Sequence, residues 1–235
     1  MHLMGDLDIQ LLLAVNGFVG LWPDFDRFVR YLSGASILKM LPLVVAYCAI
    51  WAAAGADARS KDEIRARLLL VLLGCLISLV VARALALSLP YQPRPMHNDQ
   101  LELQLLRGAS RRLLDGWSSF PSDHAAFSMA MAAGIAVINR TVGVWALGHA
   151  IVMICLPRIY MSLHYPSDLL VGGGIGAAVA LMLQRGALVV AFARRLLTFG
   201  QTRPMLFYGA LFFCLQQVSE MFDSLRGLLS HLSRY

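Results

Sequence analysis

The sequence is 235 residues long, and 58% of those residues are hydrophobic whereas only 14% are charged. Soluble domains carry about a quarter charged residues, so this composition, with a mean hydropathy of +0.65, excludes an ordinary soluble domain and predicts an integral membrane protein. The net charge of +6 does not indicate nucleic-acid binding, because most basic residues lie in short loops between apolar runs, where they match lipid head groups.

The hydropathy pattern predicts an all-α bundle in a single domain, residues 1–235. Residues 5–20 are apolar but too short to cross a bilayer of about 30 Å, so we expect an interfacial helix there, and residues 21–35 stay near the interface. About six spanning helices follow, at 36–55, 68–89, 121–138, 142–156, 166–183 and 205–218. The predicted core is 36–184, and 205–235 forms a C-terminal helical segment.

Three polar motifs flank these spans. Arg94 follows the second span, His124 opens the third, and the stretch from Arg158 to His164 and Asp168 separates the fourth from the fifth. Whatever the orientation of the chain, these positions fall on the same face of the membrane. Ionisable residues at the ends of spans are costly and mark function, so the sequence predicts one site just outside the hydrocarbon.

Basic residues also indicate which side this site faces. With Arg94 and Arg158 set aside as site residues, more basic residues lie on the face opposite the motifs than on the motif face. Those on the opposite face are Arg59, Lys61, Arg65, Arg67, Arg140, Arg185, Arg194 and Arg195, and those on the motif face are Arg27, Arg30, Arg107, Arg111 and Arg112. Because cytoplasmic loops are enriched in Lys and Arg, we expect the site to face the periplasm or exterior of a bacterial inner membrane.

The residue types fit phosphoryl chemistry. Pro121 and Pro166 suit the first turn of a helix, which would place Ser122 and His124 in the first turn of the third span, where free N–H groups bind anions. Arg94 and Arg158 each offer a bidentate fork to phosphate oxygens. We expect no metal and no cofactor, because arginines supply the cations and no carboxylate cluster forms a Mg²⁺ site.

Two histidines complete the predicted pocket. Asp168 can hold one ring nitrogen of His164, four residues earlier, and leave the other as a nucleophile. His124 has no carboxylate predicted to orient it and suits the acid that protonates the departing oxygen. Each residue alone has a simpler explanation, since Asp168 could cap a helix and the arginines could anchor the interface. Their spacing and shared face favour a site.

Two sets of residues are expected to have no chemical role. His149, inside the fourth span, has no motif around it and should be a satisfied polar residue. The four cysteines lie within apolar segments without metal-ligand spacing and should be buried free thiols: Cys48, Cys75, Cys155 and Cys214.

These motifs resemble those of the type 2 phosphatidic acid phosphatase (PAP2) superfamily, which also includes vanadium haloperoxidases. Arg94-Pro95 matches the end of its first motif, Pro121-Ser122-Asp123-His124 matches Pro-Ser-Gly-His with Asp for Gly, and Arg158-x5-His164-x3-Asp168 matches its third. The resemblance implies a PAP2-like bundle and a phosphate site of Arg94, Arg158, Ser122 and Asp123, with His164, His124 and Asp168 catalytic. With Asp123 in place of that glycine, the second motif resembles that of the bacitracin-resistance type of undecaprenyl diphosphate phosphatase.

One expected residue is absent. The family lysine seven residues before Arg94 is Leu87 here, and Arg83, eleven residues before Arg94, is the predicted substitute.

The resemblance implies an enzyme that hydrolyses a lipid phosphate or diphosphate without metal, through a phosphohistidine. Undecaprenyl diphosphate is the first choice of substrate, and phosphatidate, phosphatidylglycerol phosphate and lipid A phosphate stay open. Two remoter alternatives are a vanadate-dependent haloperoxidase and a lipid transporter that binds without catalysis. The expected partners are the lipid substrate and membrane lipids, with no nucleic acid.

Overall fold

The structure, a computed structural model, describes residues 5–55, 58–108, 110 and 114–220. Arg111, Arg112 and the predicted tail beyond 220 lie outside these residues. Within them the regular elements are helical and no strand occurs. The helices are α1 (Asp6–Asn16), α2 (Pro23–Gly34), α3 (Ser36–Ala53), α4 (Ala58–Ser88), α5 (Asp123–Ile138), α6 (Arg140–His149), α7 (Leu156–Tyr160), α8 (Pro166–Arg185), α9 (Ala187–Thr202) and α10 (Pro204–Ser219).

Within the described part of the chain, four helical stretches are long and apolar enough to cross a membrane, which confirms the predicted membrane-protein fold class. They are Ser36–Ala53, Ser60–Ser88, Arg140–Tyr160 and Pro166–Arg185. α5 and α10 occupy the third and sixth predicted spans but have 16 residues each, about 24 Å at 1.5 Å per residue. Both are therefore shorter than the hydrocarbon layer of about 30 Å.

α5 is the central helix of the bundle and packs against α4, α6 and α8. Its sequence is rich in Ala, Gly and Ser, and most of its residues are buried. α8 packs against it through two glycines: a Cβ added to Gly172 would lie 2.3 Å from the carbonyl oxygen of Ser122, and one on Gly176 would lie 1.9 Å from that of Ala126. Small residues allow such close backbone approach in membrane bundles.

Two predicted boundaries are wrong. The stretch before Leu68 was expected to be a polar loop, but α4 begins at Ala58. Its charged residues pair within the helix, since Arg67 donates to Glu63 one turn earlier at 2.8 Å. The fourth span was expected to end at Leu156, but α6 and α7 are joined by a π-helical segment (Ala150–Cys155) into one helix that continues to Tyr160.

α9 is a helix that the hydropathy pattern did not predict. It buries Val190, Ala193 and Leu197 against Ala66 and Leu70 of α4. It starts where α8 ends, and its last turns (Gly200 and Gln201) line a cavity of about 280 Å³ together with Trp51 and Asp62. α9 therefore begins and ends at one end of the bundle, opposite the motifs, and α10 packs along α3.

α1 and α2 cover the motif end of the bundle. The carboxylate of Asp8 accepts from the backbone N–H of Ser167 at 2.8 Å and from its hydroxyl at 2.6 Å. The Tyr160 hydroxyl donates to Asp26 at 2.5 Å. The N-terminal helices are thus attached by partly buried polar contacts to the end of α7 and the start of α8.

The cysteines depart in part from expectation. All four are free, but only Cys75 is buried, whereas Cys48 and Cys214 are exposed on the sides of α3 and α10. An apolar segment in a membrane bundle presents one side to lipid, so lying within a span does not bury a residue. His149 is satisfied as predicted, because its Nε2 lies 2.9 Å from the carbonyl oxygen of Lys39.

Candidate active site

The structure brings the three sequence motifs together at one end of the bundle. Arg94, Arg158, His164 and Asp168 are buried, with 4%, 6%, 2% and 0% of their surface exposed. Buried charges of this kind need partners or a ligand, and they lie where the parity of the spans predicted them.

Backbone hydrogen bonds hold the motifs in register. The N–H of Met96 donates to the carbonyl of Ser162 at 2.9 Å, which joins the Arg94 segment to the loop before α8. The N–H of Ser122 donates to the carbonyl of Asp168 at 3.0 Å, which joins the start of α5 to α8. These bonds fix the relative positions of side chains that lie far apart in sequence.

His164 is held through Nδ1. That nitrogen lies 2.9 Å from the carbonyl oxygen of Ser119 and 3.4 Å from Oδ2 of Asp168. Because a carbonyl can only accept, Nδ1 carries the proton and Nε2 has the lone pair. Asp168 was predicted as the orienting partner, and here it shares that place with Ser119, whose carbonyl is closer.

Nε2 of His164 faces Arg94. Nη1 of Arg94 lies 3.1 Å from Nε2 and donates to the carbonyl of Leu163 at 2.9 Å. Its Nη2 reaches the carbonyl of Ser118 at 3.5 Å, while its Nε is buried and has no hydrogen-bond partner among the described residues. A guanidinium beside the free lone pair of a histidine can hold an electrophilic phosphate at that nitrogen.

Arg158 supports the same histidine through its backbone. Its carbonyl accepts from the N–H of Leu163 at 2.9 Å and from that of His164 at 3.3 Å. Its charge lies close enough to act electrostatically on His124. Arg158 therefore brings its charge near His124 and its backbone carbonyl to the loop that carries His164.

His124 has a carboxylate partner that the sequence analysis did not predict. Its Nδ1 lies 2.8 Å from Oδ1 of Asp123, and the same oxygen accepts from the His124 N–H at 2.8 Å. The expectation that no carboxylate orients His124 is therefore wrong. Asp123, predicted among the phosphate-binding residues, turns its negative side chain towards His124, so only its backbone N–H is suited to an anion.

Arg83 also points to Asp123. Nη1 of Arg83 lies 3.7 Å from Oδ2 of Asp123, and its guanidinium stacks over Trp117 at 4.1 Å. Leu87, which stands where the family lysine is expected, is 88% exposed. Arg83 thus lies beside the site from α4 as predicted, but on the side of Asp123 and His124.

Ser122 lies just before the helix and not in its first turn as predicted. α5 begins only at Asp123, so Pro121 is not in its first turn either. Ser122 is the N-cap, with its hydroxyl accepting from the N–H of Ala125 at 3.4 Å. Pro166, in contrast, occupies the first turn of α8 as predicted.

Three residues of the site were missed from sequence. Ser119 contributes only a carbonyl, Gln92 donates to Oδ1 of Asp168 at 3.3 Å, and Asp8 binds Ser167 beside Asp168. Gln92 lies two residues before Arg94, and this closeness to the motif is the signal that could have indicated it. Nothing in the sequence marks Ser119.

Burial sets the protonation of His164. Removal from water lowers the pKa of His164 and the neighbouring Arg94 charge lowers it further, although Asp168 acts in the opposite direction. The imidazole is therefore neutral near pH 7, as a nucleophile requires. Burial also lowers the pKa of Arg94, but a guanidinium remains charged at all pH values of interest. Over the described residues, no three His, Cys, Asp or Glu side chains cluster in the manner of a metal site.

Comparison with models of protein families matches residues 67–190 to the PAP2 superfamily. This match covers slightly more than half of the 235 residues and contains all three motifs. Searches of the curated proteins and of the solved structures each return no match. The chain belongs to the PAP2 superfamily, whose members include phosphatases that act on lipid phosphates.

Proposed function

We propose that this protein hydrolyses the terminal phosphate of a membrane lipid through a phosphohistidine at His164, and that undecaprenyl diphosphate is its substrate. The observation that carries the proposal is the environment of His164. Nδ1 is held by Ser119 and Asp168 while Nε2 faces a buried arginine. A histidine that is neutral, oriented and next to a phosphate-binding cation is ready for in-line attack.

In the first step, Nε2 of His164 attacks the terminal phosphorus, and the bond from phosphorus to the leaving oxygen breaks. Arg94 exchanges its contact with Nε2 for the phosphate oxygens. Together with Arg158 and the N-terminus of α5 it stabilises the charge that develops on them. His124 donates the proton that the leaving oxygen takes up.

In the second step, water attacks the phosphorus of phosphohistidine. His124, now neutral, accepts a proton from that water, the P–N bond breaks, and inorganic phosphate is released. Asp123 supports both steps because it holds Nδ1 of His124 and keeps Nε2 for proton transfer. Asp168 and Ser119 hold Nδ1 of His164 in the same way.

We also propose that the site faces the periplasm or exterior. α9 adds Arg194 and Arg195 to the opposite end of the bundle, where Arg194 pairs with Glu63 near the start of α4. Two arginines on this helix support a cytoplasmic location for that end of the bundle, since positive charge is retained on the cytoplasmic side.

The test is phosphate release by the purified protein in detergent with excess EDTA. The substrates are undecaprenyl diphosphate, phosphatidylglycerol phosphate and phosphatidate, and the proteins are wild type, His164→Ala and His149→Gln. We expect release in EDTA by wild type and His149→Gln and none by His164→Ala, with undecaprenyl diphosphate preferred. His149→Gln is the matched control because this histidine contacts the carbonyl of Lys39 in α3, away from the motifs.

The opposite outcomes are equally clear. Release that requires a divalent metal, or that persists in His164→Ala, would contradict the histidine mechanism. A preference for phosphatidate or phosphatidylglycerol phosphate would replace the substrate but keep the mechanism. Binding of lipid with no release from any substrate would favour a transporter or binder instead.

A further inference from the structure

A cavity of about 320 Å³ lies beside the active site, between the end of α4 and the segment 116–118. Its lining combines apolar residues with a cation and hydroxyls: Arg83, Ala86, Leu87, Leu89, Tyr91, Trp117 and Ser118. Ligand sites of folded proteins run from about 300 to 1,000 Å³, so this cavity is large enough for a head group and the first carbons of a chain.

Arg83 is the charged group of this cavity. Trp117 covers one face of its guanidinium at 4.1 Å, and Asp123 lies 3.7 Å from its Nη1. These contacts fix the orientation of the guanidinium, yet about a third of the side chain, 32%, stays exposed. A planar fork that is oriented and still accessible is suited to bind phosphate oxygens.

Two contacts connect the cavity to the reacting groups. Ser118, in its wall, accepts from Nη2 of Arg94 through its carbonyl at 3.5 Å. Asp123 contacts Arg83 with one carboxylate oxygen and His124 with the other. Because His124 donates its proton to the leaving oxygen in the proposed mechanism, the cavity lies on the leaving-group side of the phosphorus.

We propose that Arg83 binds the phosphate that remains on the lipid after cleavage, and that the site is therefore selective for lipid diphosphates over lipid monophosphates. The inference rests on the proposed phosphatase function, and it explains why a lipid diphosphate would be the preferred substrate. The bond that breaks joins the terminal phosphorus to the bridging oxygen. That oxygen leaves with the lipid monophosphate, takes a proton from His124, and the lipid phosphate stays against Arg83.

The lipid side of the cavity agrees with this placement. Leu87, in the last turn of α4, is 88% exposed, and Leu89 and Tyr91, just beyond the end of that helix, are 37% and 55% exposed. Exposed apolar residues on a spanning helix contact lipid. The substrate chain can therefore pass from the bilayer along these residues while its two phosphates lie at Arg83 and Arg94.

The experiment compares two lipids with the same chain, undecaprenyl diphosphate and undecaprenyl monophosphate, in wild type, Arg83→Gln and Arg140→Gln. We expect Arg83→Gln to lower kcat/KM for the diphosphate by roughly tenfold or more, as the loss of a charge-assisted contact implies, and to change kcat/KM for the monophosphate by less than about threefold. Arg140→Gln, an exposed arginine at the other end of the bundle, should change neither.

Soluble anions give a second readout that does not involve the lipid chain. Pyrophosphate can occupy both phosphate positions and inorganic phosphate only one. Arg83→Gln should therefore weaken inhibition by pyrophosphate by roughly tenfold and leave inhibition by phosphate unchanged. If Arg83→Gln does not purify as a single species, Arg83→Lys replaces it, because lysine keeps the charge without the bidentate fork.

Failure of this inference differs from failure of the proposed function. Equal losses on both lipids, with equal weakening of both anions, would show that Arg83 acts only by positioning Asp123 and His124, and would overturn the second phosphate position. Wild type that releases phosphate from neither lipid would instead contradict the phosphatase proposal itself.

Discussion

Nδ1 of His164 lies closer to the carbonyl oxygen of Ser119, at 2.9 Å, than to the carboxylate of Asp168, at 3.4 Å. The proton on Nδ1 is therefore fixed by a neutral backbone group and a charged side chain together. A carbonyl keeps the tautomer without adding charge, whereas Asp168 also stabilises the cationic ring of the proposed phosphohistidine.

Asp168→Asn should accordingly reduce turnover and not affinity. The Ser119 carbonyl keeps the tautomer, so we expect kcat to fall by about 10²-fold, less than where a carboxylate is the sole orienting group, while KM changes by less than about threefold. Steady-state kinetics with undecaprenyl diphosphate measure both constants. A raised KM with kcat intact would assign Asp168 to substrate binding instead.

Asp123→Asn tests the proton donor. Loss of the carboxylate at Nδ1 of His124 should slow protonation of a poor leaving group, so we expect hydrolysis of the lipid substrate to fall by about 10- to 100-fold. The control is p-nitrophenyl phosphate, whose leaving group departs without a proton and whose hydrolysis should change far less. Equal losses on both substrates would mean that Asp123 serves the phosphate site or the fold rather than His124.

The sequence was sufficient for those parts of the site that depend on local spacing. His164 and Asp168 are four residues apart across a helix start, and the order of the spans brings Arg94 to the same face. It was insufficient where a group acts through its backbone or through a distant contact. Ser119 uses only its carbonyl, and Asp8 meets Ser167 across most of the chain.

Asp123 and α9 show two further limits of sequence analysis. Adjacent side chains on a helix normally diverge, so a pair such as Asp123 and His124 is not expected until the helix is known to begin at Asp123 itself. α9 was not predicted because its arginines lower the hydropathy of a segment that packs on the bundle with one face only. The apolar residues Val190, Ala193 and Leu197 recur at helical spacing, and they could have indicated it.

The contact between α8 and the start of α5 yields a prediction about glycine. Gly172→Ala would place a methyl group 2.3 Å from the carbonyl of Ser122, so the N-cap that precedes His124 must move. We expect a destabilisation of about 1–3 kcal/mol, typical of an overpacked core, together with loss of phosphatase activity. Thermal unfolding in detergent and phosphate release measure the two effects.

Gly174→Ala is the matched control for that change. It lies two residues further along α8, and an added Cβ there would meet nothing within 4 Å. We expect wild-type activity and a melting temperature no lower than that of wild type, because alanine favours the helix over glycine. If Gly174→Ala were as harmful as Gly172→Ala, helix propensity or insertion, not the contact with Ser122, would explain both.

The burial of His164 predicts how activity and stability depend on pH. Its pKa is lowered by removal from water, so the neutral nucleophile persists below the ordinary value of about 6.5. We therefore expect the acid limb of the pH profile of kcat/KM, where His164 becomes protonated, to lie below pH 6.5.

Stability should depend on the same group. Because the unfolded chain takes up this proton at a higher pH than the folded protein, the stability that the neutral ring provides is complete above about pH 6.5 and is lost as the pH falls towards the folded pKa. The pH profile of kcat/KM in the wild type measures the effect on activity. The pH profile of thermal unfolding, compared with that of His164→Gln, measures the effect on stability. A limb at or above pH 6.5, or a wild-type unfolding profile with the same acid slope as His164→Gln, would contradict a neutral buried His164.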